Sequence, residues 1–349
     1  MNLTLLAIGW LMVVATAIPV LRKDAWWIRM FDFPRVQIVV VSVAVLIAYC
    51  VTTDTVDVAG GLFIIALSAS LLHQGHMMFP YFPFAKKQVQ KSQDPKKESS
   101  LSLLTANVLM KSRGADRLRE IIRHADPDVI LTVECDAWWQ DQLRDLERTH
   151  PYKVHQPQAN TYGMLLYSRL ELIDPEVKFL IQDDIPSIHA SVALPSGQRV
   201  ELHCMHPRPP FPTEDESSTD RDAELLLVGK KLKPKEIPVI VMGDLNDVAW
   251  SRTNYLFQNI SGLLDPRIGR GFFNTFHANL PFMRFPLDHF FHSNHFRLIE
   301  FKRLAYFGSD HFPVFISLSY EPDAATEQPE LQATGNEEAR ATEKIAKAS

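Results

Sequence analysis

Cysteine is scarce in this 349-residue chain, which carries only Cys50, Cys135 and Cys204. Their spacing gives neither a CxxC pair nor a dense disulfide framework, which excludes a thiolate zinc cluster and a disulfide-stapled scaffold. The three read as small buried thiols, with one disulfide left open. No HExxH sequence is present, and no Gly-rich turn follows the first predicted strand. A zincin helix and a doubly wound nucleotide-binding unit are therefore not indicated. Excess positive charge is missing as well. The formal net charge is −5, and residues 101–320 hold 24 Lys+Arg against 28 Asp+Glu. Proteins that grip a long phosphate backbone usually do so with Lys and Arg, so steering toward duplex nucleic acid is weak, although a local basic patch stays open.

The chain is rich in long apolar runs at its N-terminal end. Residues 3–20 carry no charge, and the runs VQIVVVSVAVLIAYCV from Val36 and VAGGLFIIALSASLL from Val58 follow closely. Three such runs point to a transmembrane anchor over 1–84, with spans at about 3–20, 36–52 and 58–76. Two spans plus an interfacial helix is the next arrangement. A cleaved signal peptide fits poorly, because a basic n-region is missing and two further runs follow. Arg22, Lys23, Arg29 and Arg35 lie between the first two runs, and Lys86, Lys87, Lys91, Lys96 and Lys97 follow the third. The positive-inside rule places both segments, and the globular part after them, in the cytoplasm, on an inner (plasma) membrane crossed several times. Trp26, Trp27, Tyr81 and Phe82 stand where an aromatic belt belongs. The middles of the first two runs lack ionisable residues, so the bilayer partner is reached through a plain anchor. Residues 85–100 read as a polar juxtamembrane linker. Residues 321–349, with 3 basic against 7 acidic residues, read as a disordered or loosely helical acidic tail.

Between them, residues 101–320 mix strands and helices irregularly. Strands are expected at 102–107, 129–134, 163–167, 239–242, 287–292 and 312–319, with a hairpin pairing 188–194 and 199–204. Helices are expected at 116–124, 137–147 and 220–231, with a short one inside 251–264. The Pro-rich, acidic stretch 207–218 reads as a loop over a site. Polar residues gather at strand ends, which favours one α/β sandwich with a site at one edge.

The polar residues that end apolar runs are Asn107, Glu134, His206, Asp244, Asn246, Asp288, Asp310 and His311. Carboxylates and amide oxygens form a hard-oxygen site suited to Mg²⁺, with Mn²⁺ as a substitute. A divalent ion beside a histidine fits hydrolysis of a phosphate ester.

In this order and spacing, TAN at 105–107, VECD at 133–136, YGMLLYSR at 162–169, HCMHPRPP at 203–210, GDLND at 243–247, PLDHFF at 286–291 and GSDHFP at 308–313 resemble the endonuclease/exonuclease/phosphatase superfamily. The resemblance covers about 101–320 and implies a four-layer α/β/β/α sandwich of the DNase I type. The three N-terminal helices are similar to those of bacterial membrane-attached members. The resemblance implies a metal held by Glu134, Asn107, Asp310 and Asp244. It implies catalytic roles for His311, Asp244, Asp288, His206, Asn246 and Asp310: Asp244 on the attacking water, Asn246 on a phosphate oxygen and Asp288 behind His311. His206 departs from the family pattern, standing in Cys204-Met205-His206-Pro207, and His203 is its rival. Asp247 reads as a local cap. Tyr162, Gly163, Ser168, Thr275 and His277 are softer candidates, and Arg208 fits a phosphate contact or an ordinary surface position equally. Of His289 and His292, left out of the site, one is expected to face the cleft and the other solvent. The implied function is a membrane-anchored phosphoesterase with a lipid-derived substrate favoured. The alternatives are a nuclease acting on DNA or RNA, not favoured by charge, and an inactive membrane-tethered scaffold.

Overall fold

A computed structural model describes residues 3–232 and 237–348. In the sequence, Lys230, Lys231, Lys233 and Lys235 read as a solvated cluster at a helix end; Lys233 and Lys235 lie outside the described residues. The N-terminal runs form α1 (Leu3–Ala17), α3 (Arg35–Thr52) and α4 (Val58–Met78), with the short α2 (Trp26–Arg29) between the first two. Three helical stretches are long and apolar enough to cross a membrane: Leu3–Leu21, Arg35–Thr52 and Val58–Tyr81. The long helices pack on one another through Val45, Tyr49, Phe63 and Leu67, and their outward faces expose Val40, Ile47, Ile65 and Leu72. Cys50 shares that outward face and is exposed, which corrects its reading as a buried thiol; Cys135 and Cys204 are buried, and all three are free.

The rest of the chain runs β1 (Ser100–Asn107), α5 (Ala115–Ala125), β2 (Val129–Val133), α6 (Ala137–Gln142), β3 (Tyr152–Gln156), β4 (Met164–Ser168), β5 (Leu172–Phe179), β6 (Pro186–Ala193), β7 (Arg199–Cys204), α7 (Thr219–Leu232), β8 (Val239–Asp244), α8 (Arg252–Ser261), β9 (Asp288–His292), β10 (Phe296–Arg303), β11 (Val314–Tyr320), α9 (Ala324–Glu327) and α10 (Gly335–Lys347). One sheet has the order β10-β11-β1-β2-β4-β3, and the other β5-β6-β7-β8-β9. Side chains alternate across each strand. Leu101, Leu103, Val129, Leu131 and Val133 therefore meet Leu202, Cys204, Ile240, Met242 and Phe290 between the sheets. Leu104, Ala106, Ile130 and Leu165 face the other way, onto Leu118 and Ile122 of α5 and Trp139 of α6. Val239, Val241 and Phe291 face Leu225, Leu226, Phe257 and Ile260 of α7 and α8. These are the four layers of an α/β/β/α sandwich.

Both sheets hold a parallel pair at their centre, β1 beside β2 and β7 beside β8. The C-terminal ends of both pairs point to the same edge. Antiparallel neighbours complete that edge, with Asp288 at the start of β9 opposite Asp244 at the end of β8.

The segment 85–100 is not a free linker. Val89 is buried within the inter-sheet core, and Gln90 and Ser92 exchange backbone hydrogen bonds with Leu298 on β10. The acidic tail is ordered too. Thr334 and Glu337 form a capping box that starts α10, and Ala341 and Ile345, four residues apart, lay one side of it on the α7/α8 layer. Few large apolar residues are needed, because this face fills a groove already formed by Leu225 and Phe257. A further cluster joins the N-terminal helices to the sandwich: Met78, Tyr81, Val248, Trp250, Phe285 and Leu287, with Phe33, Val36 and Val39 against it.

Candidate functional site

Strand parity builds the site. Leu103 faces the inter-sheet core, and two steps past Thr105 on the same side comes Asn107; Ile240 and Met242 lead to Asp244, and Phe290 leads back to Asp288. Where the sheets end, apolar pairs give way to polar ones without a change of face. Asn107 Nδ2 donates to Glu134 Oε1 at 2.7 Å and to Asp244 Oδ2 at 3.0 Å. Glu134 sits just past β2 with φ of 62°, a left-handed conformation uncommon for such a residue, which turns its side chain in toward Asn107. Burial pushes its carboxyl pKa up, against the pull of His206 and the hydrogen bond from Asn107. His206 enters from the end of β7, with its Nδ1 3.1 Å from the Asp244 carbonyl oxygen and its Nε2 4.0 Å from Glu134 Oε1. Gly243 lets this corner close: its φ is 139°, and a Cβ there would run into the Met205 carbonyl oxygen.

His311 Nδ1 lies 2.8 Å from Asp288 Oδ2, and its Nε2 lies 3.6 Å from Asp244 Oδ2. Burial alone would lower its pKa. The charges of Asp288 and Asp244 and the Asp288 hydrogen bond outweigh burial and hold it up at about 10. A dication bound beside Asp244 would reduce that residue's share and leave the Asp288 bond in place. Thr275 Oγ1, fully buried, accepts from the Asp288 backbone N–H at 3.3 Å, and Ser309 Oγ donates to the Asn107 carbonyl oxygen at 2.8 Å. The ring of Phe276 covers His311 at 5.0 Å between centroids.

Among the described residues, Asp244, Asp288 and His311 bring potential ligand atoms within 4.8 Å of one another. A charged imidazole bonded to Asp288 is a poor metal ligand. The better fit for a hard cation is the pair of desolvated carboxylates, Glu134 and Asp244, that now share one amide donor. Asn107 presents its nitrogen there, so its oxygen joins a metal only if the amide turns over. Asp310 stands beside His311 but outside the tight group; its side chain meets Ser309 Oγ at 3.3 Å. Asn246 has φ of 51°, and its Nδ2 donates to the Pro207 carbonyl oxygen at 3.0 Å.

The structure separates the rival histidines. His203 pairs with His189, Nδ1 to Nδ1 at 2.6 Å, away from the cluster. His289 and His292 are both buried, so neither faces solvent. His289 donates from Nε2 to the Asp247 carbonyl oxygen at 2.8 Å and receives Arg267 Nη2 at Nδ1 at 2.7 Å. Burial first, and then Arg267, keep it neutral. Arg208 is tied to Asp184 at 2.6 Å and lies over Tyr162. The tyrosine ring lies 5.5 Å from His206, and its hydroxyl donates to Glu214. Gly163 and Ser168 serve the β4 backbone, and His277 lies one residue past the ring that covers His311. Sequence reasoning missed Arg221, whose Nη1 donates to the Asn246 carbonyl oxygen at 2.7 Å, and Arg267. Both sit on helices or turns whose charged residues look like ordinary surface.

The sandwich and the cluster at its edge define a class of phosphate-ester hydrolases. The chain belongs to the Endonuclease/Exonuclease/phosphatase family, whose model matches residues 104–311. That family acts on phosphate esters and depends on a divalent metal. Among curated proteins none matches the chain in sequence. Solved structures are similar in fold. Humanized D. rerio TDP2 is 16% identical with a TM-score of 0.54, covering 63% of this chain and 99% of its own. An endonuclease/exonuclease/phosphatase from Bacteroides vulgatus is 18% identical with a TM-score of 0.53, covering 64% and 99%. The human Nocturnin catalytic domain is 15% identical with a TM-score of 0.52, covering 65% and 96%.

Proposed function

We propose that this protein is a membrane-anchored, Mg²⁺-dependent phosphoesterase that cleaves a phosphate ester carried by the bilayer surface. The observation that carries the hydrolase reading is the convergence of Asn107, Glu134, His206, Asp244, Asp288 and His311 on one sandwich edge. Glu134 and Asp244, with Asn107 and Asp310, would hold the ion. When bound, the ion neutralises charge on the phosphate. The chain's own groups do the rest. Asp244 orients the attacking water and takes its proton as the new P–O bond forms. Asn246 releases Pro207 and donates to a nonbridging oxygen. His311, held charged by Asp288, faces the developing negative charge and gives its proton to the leaving oxygen as that P–O bond breaks. His206 adds a second donor at the phosphate. A group held at about 10 is a poor base at neutral pH, so the base is a carboxylate.

The substrate class rests on the loop 277–284. It leaves the site at Ala278, whose N–H donates to the Asp310 carbonyl oxygen at 2.6 Å, and reaches the anchor at Phe282, whose carbonyl accepts from Gln37 on α3 at 2.6 Å. Its tip exposes Leu280 and Met283, and Phe282 is 87% exposed. An apolar tip beside the start of a spanning helix belongs at a lipid surface. The Ala25–Ser217 bridge supports placing the loop before α2 on the same side as the domain, and the basic loops favour the cytoplasm for that side.

Full-length protein in mild detergent tests the reading on phosphoinositides, sphingomyelin, plasmid and abasic DNA, RNA and a chromogenic diester. Turnover should need Mg²⁺ or Mn²⁺ and favour a lipid phosphate. A preference for nucleic acid would move the assignment to the nuclease; metal binding without turnover would point to a small phosphate ester outside this set, and neither turnover nor metal binding would favour the scaffold. Phe282→Asp should lower turnover of vesicle-borne substrate about tenfold relative to the soluble diester; an unchanged ratio removes the loop from the argument. Mg²⁺ should raise the melting temperature, and Glu134→Ala should abolish that rise. A full metal-dependent rise in Glu134→Ala would place the ion elsewhere.

A further inference from the structure

Asp247 closes the GDLND motif and is 1% exposed. A local cap accounts for one of its oxygens, since Val248 N–H donates to Oδ1 at 3.0 Å. The other oxygen has one local partner and two from distant parts of the chain. Ser251 Oγ lies at 2.6 Å, Arg221 Nη2 at 3.2 Å, and Arg29 Nη2 at 3.3 Å. Arg29 belongs to α2, in the short segment between two spanning helices, yet it is only 6% exposed. Its other terminal nitrogen pairs with Asp32 Oδ2 at 3.1 Å. The chain of contacts then runs into the anchor. Arg35 Nη2 donates to Asp32 Oδ1 at 2.6 Å, and Arg35 Nη1 to Gln74 Oε1 on α4 at 2.8 Å; Gln74 Nε2 donates to Thr16 Oγ1 on α1 at 3.0 Å.

Burying an arginine is costly unless its charge is met, and here two aspartates meet it at the terminal nitrogens, one from each side of the contact between anchor and domain. If the anchor were a passive tether, an apolar contact such as that around Trp250 and Tyr81 would suffice to dock it. Instead a buried polar line reaches the backbone that presents Asn246 and Asp244. Arg221 and His289 fix the carbonyl oxygens of Asn246 and Asp247, and Arg29 fixes the carboxylate that follows.

We propose that Arg29 is a positioning residue for the hydrolytic site, so that the Asp244–Asp247 turn is held in its working geometry only while the anchor is packed against the domain. This rests on the phosphoesterase reading for its effect on turnover, and on geometry alone for its effect on the turn. Three helices of the anchor therefore act on the site through one guanidinium. Disturbing Gln74, between α1 and α3, reaches the turn through Arg35 and Asp32.

The test uses the full chain in detergent or vesicles with two readouts. In Arg29→Met, amide hydrogen exchange should speed up over 244–251 while β1 and β11 keep wild-type protection. The kcat on the preferred phosphate ester should fall about 10- to 100-fold with KM within about twofold, as expected for misplacement of a group used in the transition state. Arg29→Lys should recover part of both. Gln74→Met should cause a smaller fall in kcat and add nothing to Arg29→Met, because both act along one line. Unchanged exchange over 244–251, or a kcat within twofold of wild type, would overturn the proposal, as would additive losses. Exchange needs no turnover, so it decides the tie even for a chain that proves inactive, whereas an inactive wild type defeats only the phosphoesterase reading.

Discussion

Alanine at His311 is expected to lower kcat by about a thousandfold or more while leaving the fold and the metal-dependent rise in melting temperature in place. The size follows from the environment. The ring is buried, Asp288 fixes its Nδ1, and Asp244 lies 3.6 Å from its Nε2, so a full positive charge stands where negative charge develops. At a buried position such a charge acts with little screening. Asp288→Asn should cost a comparable factor, and the double variant little more than either single one, because the pair works as a unit. The pH profile adds a sign. With a folded pKa held at about 10, His311 stays charged through the neutral range and loses its proton only on the alkaline side. Turnover should therefore show no loss on the acid side from this group and should decline on the alkaline side, at a lower pH than the metal-free value because the ion offsets the charge of Asp244. A His311→Ala enzyme with kcat within tenfold of wild type would sink the assigned role.

The second large effect concerns stability. Glu224 lies within α7, is 3% exposed, and has a side-chain oxygen, Oε1, without a hydrogen-bond partner among the described residues. Burial first, and then the nearby charge of Asp220, raise its pKa from 4.5 to about 8. Between those values the unfolded chain releases a proton that the folded chain keeps. Stability is then fully present below about pH 4.5 and is lost as pH rises through 8. Glu224→Gln removes the titration. It should melt within a degree or two of wild type at pH 5 and, at pH 8, be more stable by about 4 kcal/mol, or roughly 10 °C. A melting difference that is the same at both pH values would show that Glu224 is not held protonated.

What the sequence made legible follows from local physics. Asn107, Asp244 and Asp288 were readable because each ends or begins an apolar strand on the inward parity, where a two-residue period alone predicts its direction. β3, β5 and β10 went unread because they lie at or near sheet edges and carry residues such as Lys153, Glu176 and Lys302, which obscure the alternation. The ordered segment around Val89 and the C-terminal helix were hidden for another reason: each contributes one or two apolar residues to a core supplied by other elements. Asp247 was half legible. Its cap to Val248 is local, but its pair with Arg29 joins positions 218 residues apart and leaves no mark on either neighbourhood.

The C-terminal helix sets an order of events during synthesis. Lys344 Nζ lies 2.6 Å from Asp24 Oδ1 and 3.0 Å from Asp222 Oδ2, a carboxylate that is otherwise paired with Arg221 and fully buried. Asp24 leaves the ribosome 320 residues before its partner. The sheets and the Asp244–Asp247 turn can form as the chain emerges, but the contact that closes α10 over the α7 layer, and joins it to the loop behind α1, waits for α10 to be translated. A chain truncated just before residue 335 should therefore already hold its sandwich and still lack the clasp between α10 and the loop behind α1.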